Sequence, residues 1–194
     1  MSGTQPGPDG RPRCPWAVAA PDYLAYHDEE WGRPVRDDDG LFERLSLEAF
    51  QSGLSWLTIL RKREAFRTAF AGFTVAGVAA FGPTDATRLL RDTGIVRNRS
   101  KIDATLANAR AVLDMQAHGE SLAELIWSFA PPPRPAPRAL EEVPAATVES
   151  TALARALKAR GLRFVGPTTA YALMQACGLV DDHLEGCCAR GAGG

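Results

Sequence analysis

The stretch Leu162-Arg163-Phe164-Val165-Gly166-Pro167-Thr168-Thr169-Ala170 lies between two segments with helical character. The segment before it, at 150–160, carries helical periodicity and is followed by a glycine that can end a helix. Pro167 is suited to the first turn of the next helix, and Gly178 is suited to its end. The stretch therefore predicts two helices joined by a tight turn.

Helical periodicity also dominates the chain outward from this stretch, from Leu41 onward. The clearest helix is predicted from Ser100 to Gly119, where apolar side chains recur at intervals of three or four residues. Further helices are predicted at 41–50, 56–70, 84–94 and 121–129. A stiff, proline-rich loop follows at 131–137, and no stretch has sustained strand alternation. The predicted fold class is mainly α.

Length and charge limit the possible functions. The 194 residues suit one domain at 13–190, between Gly/Pro-rich or Gly-rich tails at 1–12 and 191–194 that we predict to be disordered. The net charge of -1 gives no general attraction to nucleic acid, so DNA binding would depend on local basic clusters. The sequence has no apolar run that could span a membrane and no secretory signal, which predicts a cytoplasmic protein.

Potential metal ligands lie near the two ends of the chain. Cys14 and His27 come early, and His183 and Cys187 come late, where one helical turn would place the last two on the same face. A Cys₂His₂ set would suit tetrahedral zinc. Buried free cysteines are an alternative, because the spacing is not that of a standard zinc finger. Disulfide bonds are a third interpretation of these cysteines, although nothing in the sequence directs the chain to an oxidising compartment.

The turn that contains Gly166 looks like a helix-hairpin-helix turn, whose backbone amides contact a DNA phosphate. A helix N-terminus presents unpaired N–H groups and the positive end of the helix dipole to an anion. An ordinary helix–helix turn is the alternative, because the first of the two usual glycines is missing here.

Several further segments, together running from Arg13 to Cys188, resemble one family. The chain closely resembles the bacterial 3-methyladenine DNA glycosylase I family of the helix-hairpin-helix superfamily. The segments are RCPW at 13–16, YHDEEWG at 26–32, LEAFQSGLSW at 47–56, GIVRNRSKI at 94–102, IWSF at 126–129, and FVG through DDH at 164–183.

This resemblance implies a helical DNA glycosylase domain with one structural zinc ion per chain, held by Cys14, His27, His183 and Cys187. It also implies a pocket for one flipped purine, because a base can be excised only outside the stack. From the residues alone, aromatic side chains at helical spacing more often belong to a core. The resemblance implies that Tyr26 and Trp56 stack on the base.

Tyr23 and Trp31 are expected to line the walls of the same pocket, and an aromatic face attracts the cationic N3-alkylated base. Glu48 has apolar neighbours, which favours a partly buried carboxyl, although an exposed helix glutamate is the alternative. The resemblance places Glu48 where it accepts a hydrogen bond from the damaged adenine. A guanine would present O6 to the same acceptor and be repelled. Glu48 is therefore the predicted catalytic residue.

The implied function is base-excision repair of alkylation damage, by hydrolysis of the N-glycosidic bond of 3-methyladenine in double-stranded DNA. Gly166 and Thr168 are the expected DNA contacts. Thr168 takes the position of the Schiff-base lysine of strand-cleaving relatives, so we expect a monofunctional, monomeric enzyme that acts at the nucleoid and binds no membrane. The alternatives are a non-catalytic, zinc-stabilised binder of alkylated DNA and a helical module whose proline-rich loop binds proteins.

Overall fold

Helices dominate the computed structural model, which describes residues 3–192 of the chain and confirms the mainly α prediction. No helix within these residues is both long and apolar enough to cross a bilayer. The helices are α1 (Pro21–Ala25), α2 (Asp38–Gln51), α3 (Trp56–Ala69), α4 (Val75–Ala79), α5 (Pro83–Arg91), α6 (Arg99–Ala117), α7 (Leu122–Trp127), α8 (Val148–Ala159) and α9 (Pro167–Ala176).

A cluster of phenylalanine rings fixes α2 in the core. Phe50 on α2 contacts Phe66 on α3, with ring centroids 4.7 Å apart, and both rings are fully buried. Phe70 extends the cluster to Phe73, with centroids 5.3 Å apart. Because aromatic pairs at this separation add to the energy of burial, the C-terminal half of α2 has a defined position against α3.

A buried lysine stabilises the end of α2. The ammonium of Lys101, on α6, donates to the carbonyls of Phe50 at 2.8 Å and Ser52 at 2.6 Å. These carbonyls lie at the C-terminus of the helix, where they lack intrahelical partners and where the dipole favours a cation. Lys101 thereby fixes the loop that connects α2 to α3.

The predicted helix pair around Gly166 is present as α8 and α9. A buried side chain on α6 shapes the loop between them: Asn108 accepts from the Arg163 N–H at 2.7 Å and donates to the Arg163 carbonyl at 3.0 Å. Helix α8 begins two residues before the predicted start at 150, and Thr147 caps it, since the Thr147 hydroxyl accepts from the Ser150 N–H. The loop between α8 and α9 therefore has a defined shape that depends on α6, a helix distant in sequence.

The predicted disorder of residues 1–12 is wrong for the part that the structure describes. Strand β1 (Gln5–Pro6) pairs antiparallel with strand β2 (Pro12–Arg13). Arg13 is buried and forms ion pairs with Asp9 and Asp28, which fasten this hairpin to the domain. Glycine and proline content favoured disorder, but a buried ion pair reverses that preference. Residues 1, 2, 193 and 194 of the predicted tails lie outside the described residues.

Candidate active site and metal centre

One cavity brings together every side chain that the sequence predicted for a base pocket. Its volume is about 280 Å³, near the lower end for small-molecule sites. A larger depression of about 360 Å³ beside the proline-rich loop has no Trp, Tyr or Phe in its lining. The smaller cavity is lined by Trp16, Tyr23, Tyr26, Trp31, Glu48, Gln51, Trp56, Ala172 and Gln175.

The aromatic wall of this cavity is organised around Trp16. Its ring lies 5.6 Å from Tyr23 and 5.1 Å from Trp31 between centroids, both in edge-to-face geometry. Tyr26 and Trp56 contact each other at 5.4 Å with a tilt of 42°. Tyr26 is only 3% exposed, whereas Trp56 is partly exposed. Trp56 is therefore the more accessible of these two rings, and both line the cavity.

Glu48 supplies the acidic group of the cavity. It lies on α2 and is 7% exposed. Its carboxyl forms no hydrogen bond with any other group of residues 3–192. Burial raises the pKa of Glu48 from its ordinary 4.5 to about 8, and the nearby Arg44 guanidinium opposes this rise. A buried carboxyl without a partner, in an aromatic cavity, is poised to receive a donor or a cation.

A π-helical turn at Tyr26–Glu30 orients two adjacent side chains toward two different sites. The turn closes through the Trp31 N–H, which donates to the Tyr26 carbonyl at 2.8 Å. Tyr26 lies in the aromatic cavity, while His27 lies beside the cysteines described below. Such turns are frequent at functional sites because they rotate side chains out of the regular helical register.

Two arginines hold this turn against the neighbouring helices. Glu30 accepts from Arg63 of α3 at 2.6 and 2.9 Å and from Arg44 of α2 at 3.1 Å. These arginines lower the pKa of Glu30, although burial acts in the opposite direction. The ion pairs therefore connect the π turn to α2 and α3, which both contribute side chains to the cavity.

The two ends of the chain meet at a cluster of potential metal ligands. The ligand atoms of Cys14, His27 and Cys187 all lie within 4.8 Å of one another, and all three residues are buried. The Cys187 Sγ lies 3.4 Å from the His27 Nε2. Contact with the Cys14 thiol lowers the pKa of Cys187, while burial opposes the change. A thiolate and an imidazole nitrogen thus face a common point.

His183, the fourth predicted ligand, lies beside this cluster. Its ring centroid is 5.0 Å from that of His27, and its buried Nε2 has no hydrogen-bond partner among residues 3–192. Its Nδ1 lies 2.8 Å from the Oδ1 of Asp181. The His27 Nδ1 likewise lies 2.8 Å from the Oδ1 of Asp28. A carboxylate that accepts from Nδ1–H leaves Nε2 unprotonated, which is the tautomer that binds a metal. The donor set therefore fits zinc.

The local structure around His183 differs from the sequence interpretation. The segment from Asp181 to Cys187 is irregular, with a turn at 185–186, instead of the expected helical turn. Gly186 has a φ of +79°, and the Cys187 N–H donates to the Leu184 carbonyl at 2.9 Å. A left-handed residue is incompatible with a regular helix, so His183 and Cys187 do not lie one helical turn apart on a common face.

The hairpin residues Gly166 and Thr168 lie at the N-terminus of α9, outside the cavity. Thr168 is exposed, and its N–H belongs to the first turn, where helices have no internal acceptor. Residues separated by four and three positions share a helix face, which aligns Thr168 with Ala172 and Gln175 of the cavity lining. One face of α9 therefore runs from the hairpin to the cavity.

The chain combines a helical fold, an aromatic cavity with a buried carboxyl, and a thiol–imidazole cluster near its two ends. Comparison with known protein families identifies the class of protein that has this combination. A model of methyladenine glycosylases matches residues 16–190, and the chain belongs to this family. DNA-3-methyladenine glycosylase 1 of Escherichia coli K12 is 49% identical over 91% of this chain and 95% of its own length. DNA-3-methyladenine glycosylase of Haemophilus influenzae is 45% identical over 90% and 96%.

Solved structures give the same result. A crystal structure of 3-methyladenine DNA glycosylase I superposes with a TM-score of 0.88 at 49% identity, covering 92% of this chain and 99% of that chain. The Staphylococcus aureus glycosylase, studied for its recognition of 3-methyladenine, superposes with a TM-score of 0.86 at 36% identity, covering 92% and 96%. The fold is therefore that of the family over the superposed 92% of this chain.

The sequence interpretation missed some of the cavity lining, namely Trp16, Gln51, Ala172 and Gln175. Gln51 lies three residues after Glu48, and Gln175 lies three residues after Ala172, so each pair shares a helix face. That spacing was the available signal. It becomes informative only once α2 and α9 are known to pack together.

Proposed function

We propose that this protein hydrolyses the N-glycosidic bond of 3-methyladenine in alkylated double-stranded DNA. The observation that carries the proposal is the unpartnered, buried carboxyl of Glu48 in an aromatic cavity of about 280 Å³. Membership of the methyladenine glycosylase family and 49% identity to an enzyme of that name support it.

Base recognition follows from the properties of the cavity lining. The target nucleotide leaves the stack, and its base enters between the Trp56 ring and the opposite wall. Trp16, Tyr23 and Trp31 line the walls, and Tyr26, which contacts Trp56, stacks on the base together with it. An N3-alkylated adenine in DNA is cationic, so the aromatic faces attract it more strongly than they attract an undamaged base.

Glu48 accepts a hydrogen bond from the exocyclic amine and stabilises the positive charge of the bound base. Because burial holds the carboxyl protonated when the cavity is empty, binding of the cationic base is coupled to loss of the Glu48 proton. A neutral adenine supplies no charge to drive this ionisation. The coupling thus favours alkylated over undamaged bases.

Bond cleavage then requires little general acid catalysis. N3-alkylation makes the base a good leaving group that departs neutral, and water attacks the sugar, which develops oxocarbenium character. Orientation in the cavity and stabilisation of the cation supply much of the rate enhancement. Glu48 is the catalytic residue in this proposal because it contacts the departing base.

The reaction ends with an intact abasic strand. A strand-cleaving glycosylase needs an amine to form a Schiff base, and Thr168 supplies a hydroxyl at the position expected for that lysine. The buried Lys101 is committed to the carbonyls of Phe50 and Ser52. These features support a monofunctional enzyme.

One zinc ion per chain is proposed at Cys14, His27, His183 and Cys187. The support is the cluster of Cys14, His27 and Cys187, together with the unpartnered Nε2 of His183. Four protein ligands leave no position for a reactive water, so the metal would be structural. It would join the β-hairpin end of the domain to the C-terminal turns.

DNA would bind where α9 begins. Gly166 and Thr168 present backbone N–H groups and a positive dipole end to one phosphate, in the manner of a helix-hairpin-helix turn. The face of α9 that Thr168 shares with Ala172 and Gln175 leads from that phosphate to the cavity. The monomeric state and the cytoplasmic, nucleoid-associated location stay predictions.

The test is release of free 3-methyladenine from methylated duplex DNA by the wild type, Glu48→Gln and a control, Glu64→Gln. Glu64 is an exposed helix glutamate on α3, with 79% of its side chain accessible. We expect release by the wild type and the control and a loss of about 10-fold or more in Glu48→Gln. Binding of methylated DNA without release by the wild type would instead identify a non-catalytic binder.

A further inference from the structure

Gln175 is a polar side chain of the cavity whose orientation is set by neighbours outside it. Its Nε2 donates to the Oδ2 of Asp182 at 3.0 Å. The Tyr171 hydroxyl donates to the same oxygen at 2.5 Å, and the Arg134 guanidinium donates to the Tyr171 hydroxyl at 3.0 Å. Asp182 is 8% exposed and Tyr171 is 1% exposed, so the hydrogen bond between them is shielded from water, whereas Arg134 is exposed.

The direction of these hydrogen bonds determines which end of the Gln175 amide is free. An arginine can only donate, which makes the Tyr171 oxygen an acceptor from Arg134 and sends its own proton to Asp182. The Asp182 oxygen is then an acceptor for Tyr171 and for the Gln175 NH₂ group. The amide oxygen, Oε1, consequently points away from Asp182 and has no donor among residues 3–192.

We propose that Gln175 is a specificity-determining residue, whose side-chain oxygen acts beside Glu48 as a second hydrogen-bond acceptor for the exocyclic amine of the base. This inference rests on the proposed function. An exocyclic amine has two N–H donors, enough to satisfy both acceptors. A base that presents a carbonyl at that position, as guanine does, meets two acceptors and is rejected.

Asp182 is the positioning residue in this arrangement, and the proline-rich loop has a role in it. Arg134 lies within the Pro131–Pro137 stretch, where restricted backbone angles reduce the entropy lost on holding one conformation. The Arg134 carbonyl in turn accepts from Arg190 at 3.4 Å. The loop thus connects the C-terminal turns to the cavity through Tyr171 and Asp182.

The experiment compares excision of 3-methyladenine and 3-methylguanine from the same methylated DNA. The variants are Gln175→Leu, Asp182→Asn and the matched control Gln116→Leu. Gln116 is also a helix glutamine that donates to an aspartate, Asp38, at 2.8 Å, but it lies outside the cavity. Metal content and melting temperature are measured for each variant, since Asp182 is adjacent to His183.

We expect Gln175→Leu to lower the ratio of kcat/KM for 3-methyladenine over 3-methylguanine by about 10-fold. Asp182→Asn should lower the same ratio, because an asparagine amide can donate to Oε1 and let the Gln175 NH₂ group turn toward the base. Gln116→Leu should leave the ratio unchanged. A ratio equal to that of the wild type in both Gln175→Leu and Asp182→Asn would overturn the proposal.

Failure of the underlying activity has a different signature. If the wild type releases neither base, the proposed function is wrong, and the variants are compared for binding of free 3-methyladenine and 3-methylguanine. Discrimination between the two free bases that is lost in Gln175→Leu would still support the role of Gln175. Equal discrimination by wild type and Gln175→Leu would overturn it.

Discussion

Replacing Glu48 by glutamine should stabilise the folded protein at neutral pH while it impairs excision. The pKa of Glu48 is about 8 in the folded protein and near its ordinary 4.5 in the unfolded chain. Between these values the folded state holds one more proton than the unfolded state, so the free energy of unfolding decreases as pH rises. The loss is about 1.4 kcal/mol per pH unit.

From pH 4.5 to pH 7 this amounts to an order-of-magnitude cost of about 3 kcal/mol, which a neutral glutamine does not incur. Glu48→Gln should therefore match the wild type near pH 4.5 and exceed it at pH 7, by roughly 6–12 °C in melting temperature for a domain of this size. Excision of 3-methyladenine should fall by about 10-fold or more, because a charge-assisted hydrogen bond is lost.

The assay is thermal unfolding of both proteins in the same buffers from pH 4.5 to 8, beside single-turnover excision at pH 7. Glu64→Gln is the control, since an exposed glutamate on α3 should change neither measurement. A constant difference in melting temperature across this pH range would refute the argument, because it would mean that Glu48 has similar pKa values in the folded and unfolded states.

Three further predictions follow from the same structure. In the wild type, kcat/KM should rise about 10-fold from pH 6 to pH 7 and level off above pH 8 as Glu48 ionises, and a flat profile would contradict its role. Chelation should remove one zinc per chain and lower the melting temperature by roughly 5–10 °C, since a site filled at 100 times its Kd adds about 2.7 kcal/mol; zinc-free protein from metal-replete, reducing medium would exclude the site. Asn108→Ala should cost about 2–3 kcal/mol in urea unfolding, because it leaves two backbone groups of Arg163 unpaired; a change below about 0.5 kcal/mol would show that water replaces the side chain.

Periodicity was sufficient to predict the helices that form the core. The segment after Ser100 is helical as Arg99–Ala117, and the segment that begins near Pro167 is α9. In the first, Ile102, Leu106 and Ala109 of the predicted apolar face are buried, whereas Leu113 is 42% exposed. Local capping and side-chain spacing determine such elements, so they can be predicted without knowledge of the tertiary structure.

The site was less predictable because its geometry depends on contacts between distant segments. Residue type alone left a shared site for Cys14 and Cys187 as one of three alternatives, and only the family resemblance favoured it. Periodicity and spacing contain no signal for the π turn that directs Tyr26 and His27 to different sites. Gln175 was missed because its significance comes from Asp182, which fixes the orientation of its amide only in the folded protein.

The meeting of the chain's ends has a consequence for synthesis. The Cys14 Sγ accepts from the N–H of Leu184, 170 positions away, and the Trp31 and His183 rings meet in edge-to-face geometry with centroids 4.7 Å apart. Trp31 also lines the base cavity, so one wall of that cavity depends on residues near His183, which are translated after helices α1 to α9. A nascent chain on the ribosome would carry the core helices yet lack a finished cavity. The protein would gain the ability to select a damaged base only after the segment around His183 has emerged.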